Sequence, residues 1–131
     1  MINVRNLHKK FDRTQALDGI ELTINRASIY GLVGTNGAGK TTIIRHMAGI
    51  IKQDEGEILF DGEPVFENTA LKQRIGVVPD ELYFPKGYAI KDMERIFAGT
   101  YRSFNADRLH ELTGLFRLDA EAPLSYFSMG M

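Results

Sequence analysis

The feature that most restricts the fold of this chain is a glycine-rich segment in its first third. Residues 34–41 read Gly34-Thr35-Asn36-Gly37-Ala38-Gly39-Lys40-Thr41 and match the pattern Gly-x4-Gly-Lys-[Ser/Thr]. The short apolar run 29–33 precedes this segment, and apolar residues at helical spacing follow it through 40–51. A buried strand, a glycine-rich turn and a helix in this order predict a phosphate-binding loop. The alternative is a glycine-rich turn that only caps an ordinary helix.

The residue types of this loop suit a triphosphate. Many N–H donors must converge on the phosphate oxygens, and glycines allow the backbone conformations that this requires. The start of the following helix adds unpaired N–H groups and a positive dipole end. Lys40 supplies a charge for the β- and γ-phosphates, the Thr41 hydroxyl can ligate Mg2+, and Thr42 can reach the α-phosphate. The predicted nucleotide-binding residues here are Gly34, Thr35, Asn36, Gly37, Ala38, Gly39, Lys40, Thr41 and Thr42.

The rest of the chain predicts an α/β fold. Alternating patterns favour strands over 2–11 and 16–25, and Asp61-Gly62 predicts a hairpin between 57–60 and 63–66. Residues 75–78 form another short apolar run that predicts a buried strand. Two helices are predicted over 90–103 and 105–117, the second with Asn105 as its N-cap. Their aromatic and apolar positions are expected in the core: Ile90, Met93, Phe97, Tyr101, Phe104, Leu109, Leu112 and Phe116.

Composition excludes several other classes. The chain has no cysteine, so it has no disulfide framework and no thiolate site. A formal net charge of -1 gives no global electrostatic case for nucleic acid. The pair Lys9-Lys10 and the pair Asp54-Glu55 are interpreted as solvated surface. The histidines lack metal-ligand spacing and are expected at the surface or on helix faces: His8, His46 and His110.

Beyond the loop itself, several segments resemble the ATP-binding subunit of ABC transporters. Residues 31–42 carry its phosphate loop, and Phe11 stands where that family places an aromatic that stacks on adenine. The segment Gly56-Glu-Ile-Leu-Phe-Asp-Gly62 resembles its hairpin. Ile75-Gly-Val-Val-Pro79 resembles the strand before its Q-loop, and Ser128-Met-Gly130 resembles the core of its signature motif. Within the family, the resemblance is closest to bacterial exporter-type subunits.

The resemblance implies an organisation and a set of partners. We expect a P-loop NTPase with a RecA-like core and an N-terminal antiparallel β subdomain in 1–81, then a helical subdomain in 82–131 that ends in the signature motif. ATP and Mg2+ are the implied ligands. A second ATP-binding subunit is expected in a head-to-tail dimer, in which Ser128 and Gly130 reach the γ-phosphate. Transmembrane permease subunits are the other expected partners, at the cytoplasmic face of the membrane, and no nucleic acid is expected.

Two departures from the family pattern affect the chemistry. Asp80 stands at the position of the Q-loop glutamine and is a candidate catalytic and Mg2+-binding residue. An alternative reading makes Asp80 and Glu81 a Walker B pair, but Pro79 and the position ahead of Ser128 oppose it. The family's Walker B strand, catalytic glutamate and switch histidine all follow the signature motif, so none is expected within these 131 residues. We therefore expect weak nucleotide binding and negligible hydrolysis by this chain alone.

Other functional classes remain as alternatives at this point. A GTPase should carry Asn-Lys-x-Asp and a small-molecule kinase an arginine-rich lid, and neither pattern is present. A chromosome-maintenance or translation ATPase is a non-transport alternative, although the first needs a long coiled-coil insertion that the chain lacks. The last alternative is a truncated nucleotide-binding module that is catalytically incompetent.

Overall fold

The computed structural model describes residues 1–79 and 83–127. The chain divides into two compact units, Met1–Val77 and Val78–Met131. The first unit contains the sheet and the glycine-rich loop, and the second is helical. The subdomain roles assigned from sequence to 1–81 and 82–131 stay predictions.

The first unit is built on an antiparallel sheet of four strands in the order β2-β1-β3-β4. These strands are β1 (Ile2–Phe11), β2 (Thr14–Ile24), β3 (Glu55–Phe60) and β4 (Glu63–Pro64). The alternation that predicted β1 and β2 is confirmed, and their pairing runs from Ile2 opposite Ile24 to Phe11 opposite Thr14. The predicted hairpin at Asp61-Gly62 is also confirmed, although its second arm is shorter than expected.

One glycine permits the close approach of β3 to β1. Gly56 has φ +82°, and a Cβ there would lie 2.2 Å from the carbonyl oxygen of Asn6. Any other residue would push the strands apart at this point, because the obstacle is backbone. The register shift between Arg5 and His8 accommodates the same irregularity in β1.

Two helices pack on this sheet, α1 (Lys40–Met47) and the short α2 (Thr69–Lys72). The predicted helix over 40–51 begins as expected but ends early, because Gly49 adopts φ +66° and its N–H turns back to the carbonyl of His46. The core of this unit comprises Val4, Leu7, Leu17, Ile43, Ile58, Val65 and Leu71.

Two of the predicted buried strands are not strands in the structure. Residues 29–33 and 75–78 form no strand, and Val33 is 96% exposed. An apolar run becomes a buried strand only when neighbouring strands accept its backbone hydrogen bonds. Within residues 1–79 and 83–127, the sheet has no strand beyond the four antiparallel ones, so these runs have no ladder to join. The sequence-based prediction was wrong for both.

The second unit contains α3 (Ile90–Thr100), α4 (Ala106–Leu115) and a 3-10 turn over Leu124–Tyr126. The predicted N-cap of α4 is confirmed, since the Asn105 side chain accepts the Arg108 N–H at 2.8 Å. Phe97 stacks on Phe104 with ring centroids 6.4 Å apart. Phe97 is nevertheless 40% exposed and no residue of α3 is buried, so the expectation that this apolar face lies in the core was wrong. Phe116 was expected in the core but is exposed just after α4. In the described ranges, neither unit contains a helix with the length and apolarity to cross a membrane.

Candidate functional site

A single glycine allows the glycine-rich loop to lie close against β2. Gly39 has φ +80° and forms the N-cap of α1. A Cβ at this position would lie 2.6 Å from the carbonyl oxygen of Ala16 and 2.9 Å from Leu17. Only glycine fits both the left-handed backbone and the narrow space. The loop and the start of α1 therefore lie directly against β2 of the sheet.

The N-terminus of α1 is free to bind an anion. No side chain caps it, and its first turn contains no acidic residue. The first backbone bond that closes the helix runs from the Ile43 N–H to the Gly39 carbonyl, at 2.9 Å. The amides of Lys40, Thr41 and Thr42 precede that bond and have no partner within the helix. Such a helix start offers converging N–H groups and a positive dipole end.

Lys40 closes the loop from the other side. Its Nζ donates to the carbonyl oxygens of Gly34 at 2.7 Å and Thr35 at 2.6 Å. The loop is further turned by the Ala38 N–H, which donates to the Thr35 carbonyl at 3.3 Å, and by Gly37 at φ +82°. The ammonium therefore sits within the turn, with one of its three N–H bonds left for a ligand.

The loop is open to solvent where a phosphate chain would approach. Residues 34–38, with Asn36 at the turn, are exposed, and so is Thr41. A Cβ on Gly34 would lie 3.3 Å from the Ala38 side chain, so the loop is tightly folded at its base. The geometry required of a phosphate cradle, a turn of glycines at the start of a helix, is present.

The residues present fit a magnesium ion bound with the phosphates. Mg2+ uses few protein ligands in such sites and takes hard oxygens from a hydroxyl, from phosphates and from water. The exposed Thr41 hydroxyl at the helix start is such a donor. Among the residues that the structure describes, no three acidic, histidine or cysteine side chains gather into a separate metal site. The second candidate ligand, Asp80, lies outside the described residues.

His46 was expected at the surface or on a helix face, and the structure places it on the buried face of α1, at 1% exposure. Its Nδ1 donates to the Thr42 carbonyl at 2.7 Å, one turn earlier. Its Nε2 is buried without a hydrogen-bond partner. Helical spacing puts His46 in line with Thr42, which was the one signal in the sequence that could have revealed this contact.

Phe11 lies at the end of β1 with 43% of its surface exposed. Leu17, which contacts the Gly39 position, pairs with Lys9 across the two strands. Phe11 is two residues beyond Lys9, roughly 7 Å along the strand. The exposed ring and the phosphate loop therefore lie toward the same end of the β1–β2 ribbon.

The remaining predicted site residues, Ser128 and Gly130, lie outside the described residues, as Asp80 does. Their roles stay predictions. The structure joins the glycine-rich loop to the start of α1, and the role of Phe11 also stays a prediction.

Comparisons with known proteins point to one family. The sequence profile of the family described as "ABC transporter" matches residues 17–131. The chain is 34% identical to the ABC transporter ATP-binding protein YtrB of Bacillus subtilis over 131 residues, which are 100% of this chain and 45% of YtrB. It is 38% identical to the galactose/methyl galactoside import ATP-binding protein MglA of Haemophilus influenzae over 104 residues, which are 77% of this chain and 20% of MglA.

A solved structure described as the ATP binding subunit of an ABC transporter superposes with a TM-score of 0.85 at 24% identity. The match covers 99% of this chain and 57% of that one. The chain therefore spans less than half the length of the curated relatives YtrB and MglA, and a little over half of this structural neighbour.

Proposed function

The chain belongs to the ABC transporter family and has the α/β fold of its P-loop ATP-binding domains, and from this we propose that it binds Mg-ATP at the loop 34–42. In the whole protein, this binding step and the hydrolysis that follows would drive transport across a membrane. The family match does not favour the alternatives of a GTPase, a small-molecule kinase or a non-transport ATPase.

The observation that carries this proposal is the helix start of α1. An uncapped, acid-free N-terminus and the Lys40 ammonium both face the turn made by Gly37 and Gly39. These groups supply positive charge and N–H donors from two sides of one exposed turn. A chain of phosphates is the ligand whose charge and acceptor oxygens match both.

Each part of Mg-ATP has a proposed contact. Lys40 would exchange its loop carbonyls for the β- and γ-phosphate oxygens, which are stronger acceptors because they are charged. The Thr41 hydroxyl would ligate Mg2+, and Asp80 is a second proposed ligand. Thr42 would approach the α-phosphate, and Phe11 would stack on adenine. Magnesium would supply charge neutralisation of the terminal phosphates.

The proposed partners follow from the family. A second ATP-binding subunit would present its own Ser128 and Gly130 to the γ-phosphate held by this loop. Transmembrane permease subunits would receive the resulting motion, which would place the protein peripherally on the cytoplasmic face of the membrane.

The resemblance to exporter-type subunits gains no support from the relatives, since MglA is named for import and YtrB for neither direction. The nucleotide site described above does not depend on this distinction.

The proposal is tested by titrating the chain with Mg-ATP in a calorimeter and repeating the titration with Lys40→Ala. Each charge-assisted hydrogen bond from the ammonium contributes about 1.5–3 kcal/mol. We therefore expect Lys40→Ala to weaken binding at least about ten-fold. Lys86→Ala, an exposed lysine of the second unit, should bind as the unmodified chain does. Equal affinity of the Lys40 and Lys86 variants, or no binding by the unmodified chain, would refute the site.

A further inference from the structure

Lys9 is an unusual surface lysine because its side chain is only 15% exposed. Its Nζ donates to Asp54 Oδ1 at 2.7 Å. The same Nζ lies 5.4 Å from the centre of the Phe11 ring, over one of its faces. The ammonium therefore contacts a carboxylate and, at the same time, the aromatic ring of the candidate base site.

Asp54 is fixed in turn by the backbone of β1. Its Oδ2 accepts the Lys10 N–H at 2.7 Å, and its own N–H donates to the His8 carbonyl at 3.1 Å. The hydrogen bond from Lys9, followed by that from the Lys10 N–H, holds the pKa of this carboxyl below its usual range. Asp54 is thus an ionised carboxylate residue that is hydrogen-bonded to the backbone of His8 and Lys10, the two neighbours of Lys9.

Phe11 needs such support, because it stands where the strand ends and almost half of its surface is exposed. An exposed aromatic side chain without close packing samples several rotamers, and binding a flat ligand must then order it. A cation over one face restrains the ring and leaves the other face for a base. The cation also draws electron density away from the open face, which favours stacking against an electron-rich purine.

We propose that Lys9 and Asp54 are positioning residues that hold the Phe11 ring ready to stack on the base of the nucleotide. The inference rests on the proposed ATP site and adds to it a specific cause of affinity for the base. Because the Lys9 ammonium is held by Asp54 and lies over the Phe11 ring, it would act through the ring, and its contribution would be confined to ligands that carry a base.

Because the effect of Lys9 should be limited to ligands with a base, the test uses two probes. These are ATP and inorganic tripolyphosphate, which has the phosphates without a base. Calorimetric titrations compare the unmodified chain with Lys9→Met, which keeps the length of the side chain and removes its charge. We expect Lys9→Met to weaken ATP binding about five-fold, the size of a partly desolvated cation–π contact. Tripolyphosphate binding should stay unchanged. Asp54→Asn should likewise lower the ratio of ATP affinity to tripolyphosphate affinity. Lys9→Arg, which keeps a cation, should largely preserve that ratio.

The matched control is the adjacent lysine. Lys10 is exposed, and the contact with Asp54 comes from its backbone, so Lys10→Met keeps that contact and should leave both affinities unchanged. The second control is the Phe11→Ala background. Without the ring, adding Lys9→Met should have no further effect on ATP binding, because the two residues then no longer interact.

The outcomes separate this inference from the function on which it rests. An unchanged ATP affinity in Lys9→Met would overturn the positioning role and leave the phosphate site intact. So would an equal loss for both probes, or a loss that persists in the Phe11→Ala background. If the unmodified chain bound neither probe, the proposed nucleotide site itself would be wrong, and the role of Lys9 with it.

Discussion

At the scale of single residues, Gly39 has the most demanding position in the site. Alanine there would take a left-handed backbone conformation and place its Cβ against the carbonyl oxygen of Ala16. We expect Gly39→Ala to lower the free energy of unfolding by about 1–3 kcal/mol, as measured by urea denaturation. It should also weaken Mg-ATP binding, because the helix start must move away from β2.

Gly76→Ala provides the comparison for Gly39→Ala. A Cβ at Gly76 meets no atom within 4 Å, and the glycine has no left-handed φ. We expect its unfolding curve and nucleotide affinity to match those of the unmodified chain. A Gly39 variant as stable as the Gly76 variant would contradict the account of how the loop is fixed to β2.

Residues differ in how far the sequence alone could predict their roles. The conformation of the loop around Gly37, Gly39 and Lys40 was predictable, because the motif specifies a local backbone conformation, whereas the binding roles of these residues stay predictions. Lys9 and Asp54 were interpreted as solvated surface, yet they form an ion pair across 45 positions of sequence. The sequence left open whether His46 lies at the surface or on a helix face, and it is on the buried face of α1. Contacts of this kind depend on strand register and helix packing, which local patterns do not specify.

At the scale of elements, the β3–β4 turn collects three cationic groups around one carboxylate. Asp61 accepts from the N-terminal ammonium at 2.6 Å, from Arg26 at 3.0 Å and from Arg74 at 2.9 Å. These hydrogen bonds, the first of them most strongly, depress the pKa of Asp61 well below its ordinary value of 3.8. The turn therefore ties the chain start, the end of β2 and the segment after α2 together.

The pH dependence of this turn follows from the sign of that shift. A carboxyl whose pKa is lower in the folded state contributes its full stability above the unfolded value of 3.8, and this contribution declines progressively as the pH falls from 3.8 through the folded-state pKa. Asp61→Asn should therefore lower the urea midpoint at pH 7, and the gap to the unmodified chain should shrink at pH 3. Asparagine tolerates the left-handed φ of +54° at this position, so the change isolates the charge.

Asp12→Asn is the control for the effect of the turn conformation. Asp12 has φ +50° and is exposed at the β1–β2 turn. We expect little change in its urea midpoint at either pH. If the gap between Asp61→Asn and the unmodified chain were the same at pH 7 and pH 3, the three ion pairs would not stabilise the fold.

Elements show the same limit of sequence prediction as residues. The β1–β2 ribbon, the Asp61-Gly62 hairpin and the N-cap of α4 were predictable because adjacent residues form them. Residues 29–33 and 75–78 have strand sequences without strand structure. A parallel strand forms only when strands from distant parts of the sequence accept its backbone hydrogen bonds. An apolar run therefore cannot become such a strand by itself.

At the scale of the whole molecule, these two runs leave apolar surface in contact with water. Val33, the last residue of the first run, is 96% exposed, and Val78, the last residue of the second, is 87% exposed. Contiguous apolar surface and unpaired strand edges promote association between molecules. We therefore expect limited solubility for the chain and a melting temperature that does not exceed about 65 °C.

The same valine-to-threonine change at three positions separates aggregation from folding. At Val33 and Val78, threonine keeps the β-branched shape, so the free energy of unfolding should change by less than about 0.5 kcal/mol. The double variant should bind less of an apolar dye and scatter less light on heating, because its exposed surface is more polar. Val4→Thr puts a hydroxyl at a core position that is 1% exposed and should cost about 1–3 kcal/mol. If the exposed changes destabilised the chain as much as Val4→Thr does, residues 29–33 and 75–78 would be packed in solution, contrary to the structure.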